Sequence, residues 1–368
     1  MTRREVWILV WLWIIGAGIG SAHGRVLDVP GDYPSIRAAV DAARDGDTVL
    51  LAPGTYTGED NTGISVSVAN LRFVGSAAAS ETVIDAEGRD RIFEVTNWVA
   101  GVIINGITFR NGSSGGSGAA IFADVFTGVV VNGCVFESNA AEWPGGAIYA
   151  YAAEVDIFGS TFTGNSSGTT GGALAGFESS IDAEHCVFQG NSAAIHGGVY
   201  EANDYAVATF ANCVMVDNTA PLGSALAPGI GAVLTVEQCV IAGNRSSDGA
   251  AVELLSAWEG RIRNSILWNP ASAGEIHDGE AWEEVDVQYS DVRGGWPGDG
   301  NLNVAPVFGS FRDFDYILAP GSPCIDAGDP SVSDGISDWH PRWPARYSNG
   351  ARSDMGAYGG PGNIDWVR

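Results

Sequence analysis

The central part of the sequence repeats one phrase about every 26 residues. Each copy reads Cys-Val-Phe-x-x-Asn or a close variant, and a Gly-Gly pair or another small pair follows it. The copies begin at Cys134, Ser160, Cys186, Cys213 and Cys239, and weaker copies begin at Ile107 and Asn264. A period this regular is typical of a solenoid, because each unit can bury its apolar face only against its neighbours.

Each copy carries the alternation of short β-strands. Val155, Ile157 and Phe162 show apolar residues recurring in pieces of three to five residues, and no helical spacing appears between about residues 112 and 264. A coil of roughly 26 residues can close three strands and three turns, and stacked coils pair as parallel strands ~4.8 Å apart. Leucine-rich repeats need a leucine framework, which this sequence lacks. Calcium-binding rolls need a nine-residue period, which is also absent. The predicted fold class is all-β, a right-handed parallel β-helix solenoid.

Stacking places equivalent residues above one another and predicts two columns. One column contains Cys134, Ser160, Cys186, Cys213 and Cys239, and the other contains Asn139, Asn165, Asn191, Asn218, Asn244 and Asn269. Parallel side chains one coil apart fit the ~90° disulfide torsion poorly, so we expect free, packed thiols. Asparagine tolerates left-handed turns, and stacked amides satisfy buried turn groups. The Gly pairs suit bends too tight for a Cβ.

The ends of the chain predict four regions. Residues 1–24 read as a secretion signal, with Arg3 and Arg4 before an apolar run. The alternative, a membrane anchor, fits less well because the run is shorter than the ~20 residues that span a bilayer. Residues 25–47 predict an N-terminal cap with an amphipathic helix, residues 48–295 the β-helix, and residues 296–368 an irregular C-terminal cap. We therefore expect a secreted or cell-surface monomer without a transmembrane segment after signal removal.

The charge distribution restricts the partners. The net charge is −26, all eighteen basic residues are arginine, and none lies between Arg110 and Arg245, a stretch with twelve acidic residues. Such a surface repels nucleic acid and anionic membranes. It is compatible with calcium held weakly by oxygen ligands, and equally with solubility alone.

Two groups of motifs carry a family resemblance. Residues 29–56 resemble the N-terminal cap and first coil of pectin-lyase-like right-handed β-helix proteins. The phrases Gly321-Ser-Pro-Cys-Ile-Asp-Ala-Gly-Asp-Pro330 and Asp354-Met-Gly-Ala-Tyr-Gly-Gly360 resemble a group of secreted bacterial β-helix repeat proteins that is mostly uncharacterised. The resemblance covers nearly all of the mature chain. It implies the fold and secretion but no particular activity, because one fold hosts many functions.

The resemblance also implies catalytic patterns that this chain lacks. The Asn-Thr-Asp, Asp-Asp and Gly-His-Gly triplets of polygalacturonase-like hydrolases do not occur. Pectate lyases use an Arg or Lys base with calcium. This chain has no Lys, and an Arg base is possible only outside residues 111–244; Arg261 and Arg263 lie on a late coil.

Outward carboxylates are the remaining catalytic candidates. Glu201 and Glu253 occupy the same repeat register two coils apart, hence about 9.6 Å, near the roughly 5–9.5 Å that separates glycosidase carboxylates. Glu178 and Asp204 lie on intermediate coils. The aromatic residues predicted to stack on sugars in the same strip are Tyr149, Tyr151, Phe177 and Tyr200. The competing interpretation is ordinary outward polar positions on a strand.

Other titratable residues predict structure more than chemistry. His185 and His196 are expected at the surface or in turns. The acidic candidates for a structural calcium site in the C-terminal region are Asp326, Asp329, Asp338 and Asp354, and the alternative is a set of Asp–Arg pairs and turn caps. The sequence thus predicts a carbohydrate-binding or structural β-helix protein. The alternative is a polysaccharide-degrading enzyme, a glycoside hydrolase or a lyase, that uses carboxylates on the outer strand face.

Overall fold

The computed structural model describes residues 24–96, 98–279, 281, 285–311, 314–334 and 350–361. Within these ranges the chain forms a parallel β-solenoid of about ten turns, so the predicted fold class is confirmed. Of the predicted secretion signal, residues 1–24, all but Gly24 lie outside the described residues, as does Asp338. No helix in the described ranges is both long and apolar enough to span a bilayer.

Each full coil passes through four parallel sheets, in the order A, B, D and C. Sheet A consists of Val26–Val29, Thr48–Leu51, Arg72–Gly75, Val102–Asn105, Gly128–Asn132, Glu154–Phe158, Ser180–Glu184, Val207–Ala211, Val233–Glu237, Glu259–Arg263 and Asp286–Gln288. Sheet B consists of Gly54–Tyr56, Thr82–Asp85, Thr108–Arg110, Val135–Glu137, Thr161–Thr163, Val187–Gln189, Val214–Val216, Val240–Ala242, Ile266–Trp268 and Asp291–Val292.

Sheets C and D complete the coil. Sheet C consists of Ile64–Val66, Phe93–Val95, Ile121–Ala123, Ile148–Tyr151, Leu174–Phe177, Tyr200–Asn203, Leu226–Pro228, Ala250–Glu253 and Gly274–His277. Sheet D consists of two-residue strands: Ser113–Ser114, Ala140–Ala141, Ser166–Ser167, Ser192–Ala193, Thr219–Ala220 and Arg245–Ser246. The sequence predicted three strands per coil. Sheet D is an addition, because the two residues after each ladder asparagine also pair between coils.

The asparagine column is confirmed as a continuous hydrogen-bonded ladder. Asn165 donates through its backbone N–H and its amide to Asn191 Oδ1, at 3.0 and 2.9 Å, and the other rungs repeat this pattern. The expected left-handed turn lies one residue earlier, at Ser138, Gly164, Gly190, Asp217 and Gly243. The ladder asparagines therefore serve as buried bridges between coils.

The last ladder residue meets a carboxylate. Asn269 donates its backbone N–H to Glu275 Oε1 at 2.8 Å and its amide to Oε2 at 2.6 Å. Arg293 Nε donates to the same carboxylate at 2.7 Å. Glu275 thus replaces the missing next asparagine, and Arg293 compensates its buried charge.

The cysteine column is confirmed as well, and all of its thiols are free and buried. Cys134 N–H donates to Ser160 Oγ, Cys213 N–H to Cys239 Sγ, and Cys239 N–H to Ser265 Oγ, so the column continues as serine. A parallel column of stacked rings fills the centre of the solenoid: Phe109, Phe136, Phe162 and Phe188, with centroids 4.6 to 5.0 Å apart.

Native thiols are expected to resist labelling. Burial raises the pKa of Cys134 to about 12, so almost no reactive thiolate is present at neutral pH. An aromatic disulfide reagent should detect fewer than one thiol per native chain and five after denaturation, since the chain has five cysteines. Rapid reaction of three or more thiols in native protein would contradict the internal column.

The Gly pairs mark the tight corner before sheet C. Gly171 has φ +65°, and a Cβ on Gly172 would lie 2.3 Å from Gly198 O. Backbones from successive coils approach too closely here for any side chain, as the sequence predicted.

The predicted amphipathic helix is present as α1, Ile36–Ala42. Ser35 caps it by accepting a hydrogen bond from Ala38 N, and Ile36, Ala39 and Val40 are buried in the main core. Sheet A begins before this helix, with Val26–Val29 pairing in parallel with Thr48–Leu51. That α1 closes the end of the solenoid stays a prediction.

The described C-terminal segments pack along the side of the solenoid. Two of them form an antiparallel hairpin, Phe308–Phe311 with Phe314–Leu318. Ile317, Ala357 and Tyr358 bury outward valines of sheet B, including Val214 and Val240. Corner amides add hydrogen bonds: Asn212 donates to Ala357 O, and Gln238 to Asp354 O, each at 3.0 Å. This region therefore covers the late coils of sheet B from the side.

Candidate functional site

One column of outward side chains runs along sheet C. We call it the sheet-C column, and its members are Glu94, Phe122, Tyr149, Ala175, Glu201, Ala227, Glu253 and His277. Strand pairing places them in one register, so each lies one rung from the next. After Glu94, the first half carries the aromatic rings of Phe122 and Tyr149, and the second half carries carboxylates and a histidine.

The aromatic half consists of two stacked pairs in adjacent columns. Phe122 and Tyr149 have ring centroids 5.6 Å apart, and Tyr151 and Phe177 have centroids 5.3 Å apart, each pair at 21°. Tyr151 is 38% exposed, and the other three rings are half-buried. The Arg91 guanidinium lies 4.9 Å from the Phe122 ring centre. These stacked rings form an apolar platform about two coils long.

Tyr200 does not belong to this platform, so its prediction as a sugar-stacking residue is wrong. Its strand position pairs with Leu174 and Leu226, both of which point into the core. The side chain is 1% exposed, and its ring meets Phe210 at 5.5 Å, edge to face. The outward residue of this strand is Glu201, since neighbouring strand residues face opposite sides.

Glu201 is a buried carboxyl held by side chains at the surface. It is 4% exposed and accepts hydrogen bonds from Thr170 Oγ1 at 3.0 Å and from Asn203 Nδ2. Burial raises the pKa of Glu201 to about 7, although these two hydrogen bonds oppose the shift. Its negative charge in turn contributes, after burial, to raising the pKa of Tyr149 to about 12.

Glu253 lies two rungs further along and is held differently. It is also 4% exposed, accepts a hydrogen bond from Ala250 N at 3.0 Å, and pairs with His277 Nδ1. The His277 side chain is 57% exposed. His196 lies on the neighbouring Thr170–His196–Leu222 bridge; burial lowers its pKa, and the charge of Glu253 opposes that shift.

The two-rung spacing between Glu201 and Glu253 is confirmed by the pairing. At ~4.8 Å per rung, their strand positions lie about 9.6 Å apart. Ala227 occupies the rung between them and contributes only a methyl group. Glu178 and Asp204 lie instead at the corner that follows sheet C, both at positive φ, so they are not part of the column.

Two other groups of candidates lie elsewhere. Arg261 and Arg263 are on sheet A, where they pair with Glu259 and Asp286. A small cavity of about 10 Å³ lies under the C-terminal segments, lined by Val240, Tyr316 and Tyr358 among others, and receives no side chain of the sheet-C column.

The aspartates predicted to bind calcium mostly bond to the backbone. Asp354 Oδ1 accepts from Asp326 N at 2.7 Å, Asp326 accepts from Gly350 N, and Asp329 accepts from Ser331 N at 2.8 Å. Among the described residues no group of three or more His, Cys, Asp or Glu side chains is placed to hold a metal ion. Calcium binding by this chain stays an untested expectation.

The sequence did not identify the partners of the two carboxylates. His277 follows Glu253 by 24 residues, where the repeat period is 26, so its register was hidden. Thr170 and His196 each come directly before a Gly pair, at matching positions of the repeat. This shared position was the signal in the sequence that could have placed them beside the column.

Comparisons with known proteins give structural likeness alone. No protein-family model matches the chain, and no curated protein does. The pectate lyase Pel9A aligns over 92% of this chain and 97% of its own, at 12% identity and a TM-score of 0.47. A pectin methylesterase from carrot aligns over 77% of this chain and 84% of its own, at 15% identity and a TM-score of 0.42. The mannuronan C-5 epimerase AlgE4 A-module of Azotobacter vinelandii aligns over 77% of this chain and 88% of its own, at 16% identity and a TM-score of 0.36. At these values the likeness assigns no activity, substrate or residue to this chain.

Proposed function

We propose that the protein binds a neutral polysaccharide along the outer face of sheet C. The observation that carries this proposal is the pair of ring stacks, Phe122 with Tyr149 and Tyr151 with Phe177. Sugar rings present apolar C–H faces that pack on aromatic rings, and exposed aromatics on a rigid sheet cost little entropy to order. Hydroxyl groups of the same glycan can donate to carboxylates of the column and accept from Asn203 or Thr170 beside it.

The charge of this face favours a neutral glycan. The stretch from residue 111 to 244 contains no Arg or Lys, while Glu201 and Glu253 lie in the column itself. A polyuronate would bring its carboxylates against these groups, which is unfavourable, and Arg91 at the Phe122 end of the column already lies 3.7 Å from Glu94 Oε1. The acidic surface therefore discriminates against pectate-like polymers.

Affinity electrophoresis in gels that contain xylan, glucomannan or mixed-linkage β-glucan tests the proposal. Replacing Tyr151 by alanine should weaken binding about tenfold, since a stacking contact contributes roughly 1–1.5 kcal/mol. Phe158→Ala is the matched control: Phe158 lies on the next strand along the chain and is 39% exposed against 38% for Tyr151, but it is on sheet A. It should change binding less than twofold.

Polygalacturonate is the charge control in the same experiment. We expect neither retardation nor unsaturated product in calcium-free buffer, and little of either with calcium. Equal effects of Tyr151→Ala and Phe158→Ala, or no retardation by any neutral glycan, would refute binding at sheet C. Efficient pectate cleavage would instead direct attention to Arg261 and Arg263.

A further inference from the structure

Resting on this proposed binding, we propose that Glu201 and Glu253 hydrolyse the bound glycan with inversion at the anomeric carbon. Both carboxyls project from one register of one face of sheet C, in line with the ring platform. A glycan that lies along the column over Tyr149 would continue onto them. The proposal is thus a catalytic site at the end of the binding surface.

The spacing of the two strand positions favours an inverting over a retaining enzyme. Two rungs place their strand positions about 9.6 Å apart. Inverting glycosidases hold their carboxyls roughly 6.5–9.5 Å apart to leave room for a water, whereas retaining enzymes need about 5–5.5 Å. Ala227, on the intervening rung, leaves the smallest side chain between them. A retaining pair would require carboxyls on adjacent rungs.

The surroundings assign different roles to the two carboxyls. Glu201 is buried, with a pKa raised to about 7, so a large fraction carries a proton at neutral pH and can donate it. Glu253 is oriented by Ala250 N, which donates to Oε2, and by His277 Nδ1, which pairs with Oε1. The side chains that hydrogen-bond the carboxyls, Thr170, Asn203 and His277, are all at least partly exposed, so substrate hydroxyls can replace them.

The step is a hydrolysis in which one water is added. Glu201 donates its proton to the glycosidic oxygen as the bond from that oxygen to the anomeric carbon breaks. The oxygen of a water bonds to the anomeric carbon from the opposite face, and Glu253 accepts the proton that this water loses. Solvent exchange returns Glu201 to its protonated form and Glu253 to its carboxylate.

The pH dependence follows from the acid. Because Glu201 must be protonated, kcat/KM is expected to fall as the pH rises through about 7, the value to which burial raises its pKa. Other titratable groups near the pair are Tyr149, Tyr200, His196 and His277. Tyr149 and Tyr200 have pKa values raised by burial and stay neutral in this range, and burial lowers the pKa of His196.

The test measures reducing ends released from xylohexaose, mannohexaose and cellohexaose by the full mature chain. Glu201→Gln and Glu253→Gln should each lower the rate about 10³-fold and leave gel retardation by the parent polysaccharide within threefold, since general acid–base catalysis contributes roughly 10²–10⁴. Glu237→Gln, at an exposed position of sheet A, should retain full activity. Proton NMR of the first product should show the inverted anomer.

The possible outcomes separate the two proposals. Retardation without cleavage by the unmodified protein overturns hydrolysis and leaves the binding proposal standing. Absence of both overturns both. Cleavage that survives either Gln variant, or a product with retained configuration, overturns the assigned roles. Circular dichroism of each variant must match that of the parent, and a Glu201→Gln protein that folds and remains active is sufficient to reject the proposal.

Discussion

Replacing Asn191 by alanine is expected to lower the free energy of unfolding by about 4 kcal/mol. Asn191 is fully buried; it accepts from Asn165 N and Nδ2, and its own amide donates to Phe162 O at 2.9 Å and to Asn218 Oδ1 at 3.0 Å. Alanine would leave several buried polar groups without partners, at roughly 1–3 kcal/mol each, and would leave a small cavity. Urea unfolding followed by far-UV circular dichroism measures the loss.

Asn132→Ala provides the control for this change. Asn132 is half-buried on the outer face of sheet A, and its amide donates one hydrogen bond to Asn105 Oδ1 at 2.8 Å. Water can replace that bond, so we expect a loss below about 1 kcal/mol. If Asn191→Ala lowered the free energy of unfolding no more than this control does, the asparagine ladder would contribute little to stability. The apolar columns alone would then hold the coils together.

The double variant Ile36→Asp/Val40→Asp is expected to convert the monomer that we predict into oligomers or aggregates. Both side chains are buried beneath α1, and a carboxylate in either place would lose its hydration without gaining a partner. Displacement of α1 would expose the first coil, whose unpaired strand edges can recruit another chain. Size-exclusion chromatography gives the association state, and circular dichroism should show the central coils nearly unchanged.

A second double variant on α1 is the control for Ile36→Asp/Val40→Asp. Ala38→Asp/Ala42→Asp adds the same charge at half-buried positions of α1 and should stay monomeric. A monomeric, fully folded Ile36→Asp/Val40→Asp protein would show that α1 is not the N-terminal lid. It would also move the predicted start of the solenoid away from residue 48.

The repeat determined the part of the fold that the sequence could predict. A period of 26 or 27 residues places equivalent residues in columns, so the cysteine and asparagine columns and the register of Glu201 with Glu253 followed directly. Tyr200 was misplaced by one strand position, which is enough to move a side chain from the surface to the core. The repeated motif did not indicate whether residue 200 faces the core or the solvent, because tyrosine is compatible with either face.

Contacts outside the repeat could not be predicted. Asn212 and Ala357 hydrogen-bond across 145 residues of sequence, and no periodicity relates them. Glu275 completes the asparagine ladder from six residues beyond Asn269, in a coil too short to keep the register. The pairing of Glu253 with His277 was hidden for the same reason, so the partners of the candidate catalytic carboxyls required the three-dimensional arrangement.

A crystal structure of the protein with a bound neutral hexasaccharide tests the central claim most directly. We expect sugar rings packed on Tyr149, Tyr151 and Phe177, with the chain continuing along the column towards Glu201 and Glu253. The exposed Trp98–Phe126 stack, at 4.4 Å on the corner between sheets C and A, offers a rival aromatic surface. A saccharide bound there or on sheet A, with the sheet-C column unoccupied, would contradict the account.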